Sequence, residues 1–103
     1  MPTVMVTVTK DGIVVKPNPV YVPKGQRNVL ITWCMNTRGW KFTRHGIVIG
    51  RNNRQFHAAE GGGSRTFRWL DRNNVKAYYK YTVNITNNTT TASRDPGIHN
   101  GGH

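Results

Sequence analysis

Cys34 and Met35 stand side by side in "CMNTRGWKFTRH", and His45 ends that stretch eleven positions after the cysteine. A thiolate, a thioether and an imidazole together make the ligand set of a blue-copper site. Their arrangement argues against one. If residues 29–35 continue as a strand, adjacent side chains point to opposite faces, so Cys34 and Met35 cannot close on one ion. Cys34 then reads as a small apolar or half-exposed strand residue. The remaining imidazoles are His57, His99 and His103. The last two sit on a glycine-rich end, where ordering entropy weighs against a built metal site. No metal and no other cofactor is expected.

Catalytic patterns are equally thin. The four carboxylates, Asp11, Glu60, Asp71 and Asp95, are too far apart in sequence to suggest an acid/base pair. No Ser, Thr or Cys has the strand–turn–helix context of an activated nucleophile. "EGGGSR" looks like a phosphate cradle but lacks the Gly-Lys-Ser/Thr ending of a P-loop, so it reads as a flexible hairpin loop. The chain is expected not to be an enzyme.

The basic, aromatic middle is more informative. Arg38, Lys41, Arg44, Arg51, Arg54, Arg65, Arg68 and Arg72 face only Glu60 and Asp71 between residues 38 and 72. Arginine forks onto phosphates and stacks on bases. Trp40, Phe42, Phe56, Phe67 and Trp69 are interleaved with these cations, and single-strand-binding β-folds combine such a groove with aromatic platforms. Trp40 is the candidate stacking residue. Phe67 and Trp69 share a strand face opposite Arg68, which fits core aromatics with arginines on the wet side.

Composition bounds these readings. The chain has 103 residues, enough for one domain with a modest core. Fifteen Lys and Arg against four Asp and Glu give a formal charge of +11, which bears on anionic partners and not on the fold. A lone cysteine leaves no intramolecular disulfide. No segment reads as a signal peptide and no run is long enough to span a membrane. A monomer in the cytoplasm is the default expectation, with secretion as the alternative.

The elements that must carry these residues are strands. "TVMVTVT" alternates, Asp11-Gly12 signals a hairpin turn, and "IVV" resumes. Pro17, Pro19 and Pro23 bracket "VYV", which places that strand at a sheet edge because proline cannot donate to the ladder. "VLITW", residues 46–49 and "TFRWL" add three more strands, with a hint of another at "QFHAA". In "VKAYYKYTVNIT", Val75, Ala77, Tyr79, Tyr81, Val83 and Ile85 share one face. Lys76, Tyr78, Lys80, Thr82, Asn84 and Thr86 share the other, the pattern of a half-buried antiparallel strand. About seven strands and no helix predict an all-β sandwich or small barrel over residues 1–88, with residues 89–103 as a polar C-terminal tail.

The order of these elements resembles the cupredoxin-like Greek-key β-sandwiches. The resemblance rests on "IVVKPNPVYVPKGQRNVLITW", "HGIVI" and "AYYKYTVNI". "DPGIHNG" is similar to the ending of a group of small bacterial proteins of unknown function with this sandwich. It covers residues 3–49 and 75–100, while residues 50–74 match nothing in it. It implies that His45 stands where the first copper ligand would be. It also implies a Cys, His and Met cluster after the late strand, and none follows: residues 80–82 occupy the place of the cysteine, and Cys34 precedes His45. The resemblance is therefore to the fold without its copper centre.

These readings converge on a binding module with a basic surface for an anionic partner, either nucleic acid or an acidic protein. The alternatives are a metal-binding or electron-transfer relative using His45, and a secreted or surface-associated structural protein.

Overall fold

Strict alternation of apolar and polar residues builds two five-stranded sheets that bury one face each against the other. The computed structural model describes residues 2–50 and 54–102. The first sheet contains β1 (Thr3–Thr9), β2 (Gly12–Lys16), β4 (Val29–Met35), β6 (Phe56–Glu60) and β7 (Thr66–Asp71), in the order β2-β1-β4-β7-β6. The second contains β3 (Val20–Val22), β5 (Lys41–Ile49), β8 (Lys76–Thr86), β9 (Thr91–Arg94) and β10 (Gly97–Gly101), in the order β3-β10-β8-β5. Strand β9 runs beside the far half of β8. The protein is an all-β sandwich. Among the described residues no helix is long and apolar enough to cross a membrane.

Both sheets are mixed: β1 lies parallel to β4, and β3 parallel to β10. The proline-bracketed β3 sits at the edge of its sheet, where missing amide donors cost least. Val4, Val6, Ile31, Trp33 and Met35 face inward from the first sheet, and Tyr79, Tyr81, Val83 and Ile85 from the second. The layers are fastened by edge-on aromatic pairs: Trp33 with Tyr81 at 5.3 Å, Phe42 with Phe67 at 5.9 Å, and Phe56 with Tyr79 at 5.1 Å. Such pairs add specificity beyond the area they bury.

Two expectations need correction. The strands number ten among the described residues, not about seven: β6 stands where "QFHAA" only hinted at a strand, and β9 and β10 are too short or too polar for alternation to announce them. Of the expected polar tail, residues 89–103, the described part, residues 89–102, is no tail. Within them β9 and β10 join the second sheet, and β10 is an interior strand between β3 and β8. Its inward positions are Ile98, fully buried, and Asn100, whose side-chain NH2 donates to Asp71 on β7. A buried amide is tolerated when it is hydrogen-bonded, and that partner is invisible to local pattern.

"EGGGSR" is the tight β6–β7 connection. Gly61 adopts a φ of 122°, and Gly62 packs so close to β5 that a Cβ would come within 2.7 Å of the Arg44 carbonyl oxygen. The glycines serve this close approach.

Candidate functional site

The seven described cations of the eight expected from the sequence fall into separate groups. Arg38, Lys41, Arg44 and Arg65 gather at one end, where the β4–β5 loop meets the β6–β7 connection. There the Met35 amide donates to the Arg65 carbonyl at 2.8 Å, and the Phe42 amide to the Ser64 carbonyl at 2.8 Å. Arg54 and Arg72 lie at the other end, where the Arg72 amide donates to the Gln55 carbonyl at 2.7 Å. Between the ends runs the β4–β7 ladder, from Cys34 opposite Thr66 to Val29 opposite Asp71. At about 3.3 Å per residue that separates the two groups by roughly 17 Å. Arg68 sits midway on the outer face of the first sheet, 3.7 Å from Glu60. Arg51 lies outside the described residues.

Not all of these cations are presented to solvent partners. The Arg65 guanidinium turns back on the chain. Its Nη1 donates to the carbonyls of Thr37 and Trp40, both at 3.1 Å, and its Nη2 to that of Met35 at 3.1 Å. Arg65 therefore anchors the β4–β5 loop. Arg38 and Arg44 are exposed around it and Lys41 is half-buried. Arg44 belongs to a bulge in β5, where residues between Phe42 and Ile47 swell out of the ladder with β8. Bulges re-aim side chains away from a sheet, and this one directs Arg44 and His45 outward.

The aromatics threaded among these cations serve the core. Trp40 is half-buried and packs against the hydrophobic cluster, so it is no open stacking surface. Phe42, Phe56 and Phe67 are buried, and the Trp69 indole donates to the Ile47 carbonyl at 2.9 Å.

Cys34 and Met35 do face opposite ways. Met35 is buried, whereas Cys34 is half-exposed on the outer face of the first sheet, between Met5 and Thr66. His45 is exposed on a strand of the other sheet, its carbonyl accepting the Asn84 amide at 2.8 Å. Three potential donors from two layers do not converge. Among the described residues no three His, Cys, Asp or Glu side chains form a group able to hold a metal ion.

No known family model matches this chain, and no curated protein matches it.

Two arrangements escaped sequence reasoning. The first is a sealed polar cluster. Asp71 is fully buried; its Oδ1 accepts from the Asn100 amide at 2.8 Å and from the Asn73 backbone N–H at 2.9 Å. Asn73 in turn donates to the Pro23 and Gln26 carbonyls at 2.8 and 2.6 Å and accepts from the Gly102 N–H at 2.9 Å. The second Asp71 oxygen and the Asn100 side-chain oxygen, both buried, have no partner among the described residues. Burial pushes the Asp71 carboxyl up to about 6, against the smaller opposing pull of its two hydrogen bonds. Both orphan atoms are acceptors, so a neutral carboxyl, which carries a donor, suits this setting better than a carboxylate. The cluster ties β7 to β10 and the chain end to the β3–β4 loop. It is a structural joint, closed to ligands.

The second is a row of rings on the outer face of the second sheet. Tyr21 on β3 pairs with His99 on β10, and His99 with Tyr78 on β8. Alternation placed Tyr78 on the wet face, but His99 lay in what reads as tail, and only the sheet order sets Tyr21 beside it.

Proposed function

We propose that this protein is a non-enzymatic binding module for a polyanion, with nucleic acid as the leading candidate. The observation that carries the reading is how little surface carboxylate opposes fifteen Lys and Arg. Of four acids, Asp71 is sealed in the core and Glu60 lies against Arg68. Asp95 accepts the Thr82 hydroxyl at 2.9 Å. Arg38, Lys41 and Arg44 cluster at one end with no carboxylate among them in sequence. A field of one sign concentrates anions of the other and speeds their arrival. Arg38 and Arg44 are presented on exposed surface, which suits contacts to a charged backbone.

The same proposal takes the chain as a monomer and the cupredoxin likeness as one of fold. What supports the likeness is placement: the stretches that carry it fall on β2–β4, β5 and β8.

Binding of a single-stranded oligonucleotide and of heparin, followed across a salt series, tests the reading. Four to six neutralised phosphates give a log–log slope of about −3 to −4 for a single strand. Backbone NMR shifts confined to residues near Arg38, Lys41 and Arg44 or to one sheet face support a site. Shifts scattered over every lysine and arginine, or no binding at about 100 mM salt, overturn it.

A further inference from the structure

We propose that the outer face of the second sheet is a stacking platform for single-stranded nucleic acid, formed by Tyr21, His99 and Tyr78 and flanked by Lys76 and Lys80. This deepens the polyanion reading and rests on it. The three rings come from three adjacent strands in direct register, β3, β10 and β8. Tyr21 and His99 lie 5.4 Å apart, centroid to centroid, and Tyr78 and His99 6.4 Å. Tyr21 is 65% exposed and Tyr78 54%, the two most exposed large side chains among the apolar and aromatic residues described.

The row is ordered by the sheet beneath it. Inward neighbours Val20, Ile98 and Tyr79 are buried at 1%, 0% and 4%, which holds the alternate positions outward. Position 97 is glycine, and a Cβ there would collide with the Tyr78 hydroxyl. The Tyr78 ring therefore leans over Gly97 of β10, at 67° to the His99 ring, while staying 54% exposed. A tyrosine that needed only solubility would not require a glycine beneath it.

Charge selects the occupant. Lys76 and Lys80 are exposed on the same face of β8, two positions either side of Tyr78. Asp95, beside Thr82, is the carboxylate on this face, and a hydrogen bond holds it there. An apolar protein partner has no use for a lysine on each flank, whereas a nucleic acid supplies phosphates for the lysines and bases for the rings. The ring spacings exceed the 3.4 Å base step of a duplex strand, so the bases must be splayed, which a single strand permits. Every base has a π-face, so recognition is tolerant of sequence.

The test compares a thymidine oligonucleotide about 12 nucleotides long with an abasic strand of equal length and charge, both by fluorescence anisotropy. Tyr21→Ala and Tyr78→Ala should each weaken thymidine-strand binding at least about fivefold and leave the abasic strand unchanged. Lys76→Ala with Lys80→Ala should weaken both strands and flatten the salt slope by roughly one to two. Gly97→Ala, which displaces the Tyr78 ring, should act in the direction of Tyr78→Ala with the fold intact by circular dichroism. If both strands bind wild type equally and the tyrosine variants change nothing, the platform is wrong while the polyanion reading stands. If neither strand nor heparin binds, the polyanion reading itself fails. Binding of a neutral oligosaccharide that is abolished by the tyrosine variants, with no binding of the thymidine strand, overturns the proposal in favour of a glycan face.

Discussion

Trp33 and Tyr81 meet at the centre of the sandwich, the indole Nε1 donating to the phenol oxygen at 3.0 Å across the two layers. Both side chains are 0–1% exposed, and burial raises the Tyr81 phenol well above its ordinary range, so it stays neutral. Tyr81→Phe keeps the ring packing and removes the acceptor. The indole N–H is then buried without a partner, at a cost of about 1–3 kcal/mol. Urea unfolding should show that loss with little change in slope.

Val83 and Lys80 test the face assignment of β8. Val83 is fully buried and Lys80 exposed. Val83→Ala should destabilise by about 1–3 kcal/mol as a core truncation. Lys80→Ala should stay within about 0.5 kcal/mol. Reversed costs would mean that the strand is slipped by one residue, which exchanges its faces.

Arg65 and Arg38 separate anchoring cations from presented ones. Arg65→Ala strips the guanidinium from the carbonyls of Met35, Thr37 and Trp40. The expected loss is about 1–2 kcal/mol of stability. Arg38→Ala should be neutral to stability within about 0.5 kcal/mol while lowering polyanion affinity. Thermal midpoints and oligonucleotide titration read the two effects separately.

Asp71 gives the protein a pH dependence. Its folded-state pKa, about 6, lies above the ordinary 3.8, so the protonated form favours folding. The contribution is fully present below the ordinary value and is lost as pH rises through about 6. The difference corresponds to about 3 kcal/mol in order of magnitude. Asp71→Asn keeps the shape and cannot ionise. Its stability relative to wild type should rise from about pH 4 to about pH 7.5, and a flat difference would remove the burial argument. Effects of other titrating groups are common to both proteins and cancel.

Local alternation determined much of this molecule. The inward faces of β1, β4, β7 and β8 follow from period-two burial, and three prolines put β3 at an edge. The parity of Cys34 and Met35 separated them before any layer was known, because adjacent strand residues must diverge. What alternation could not settle depends on which strands become neighbours. Asp71 and Asn100 are 29 residues apart, and only the closing of β10 against β8 gives the amide its partner. Without that contact the segment "DPGIHNG" is polar and short, and reads as tail. The cations behaved the same way: their number was plain, but chain order says nothing of which end of a sheet a loop returns to, so neighbours in sequence were parted. Tyr21, His99 and Tyr78 show the converse. Residues 78 positions apart in the chain become a single row because sheet register, a long-range property, sets β3 beside β10 and β10 beside β8.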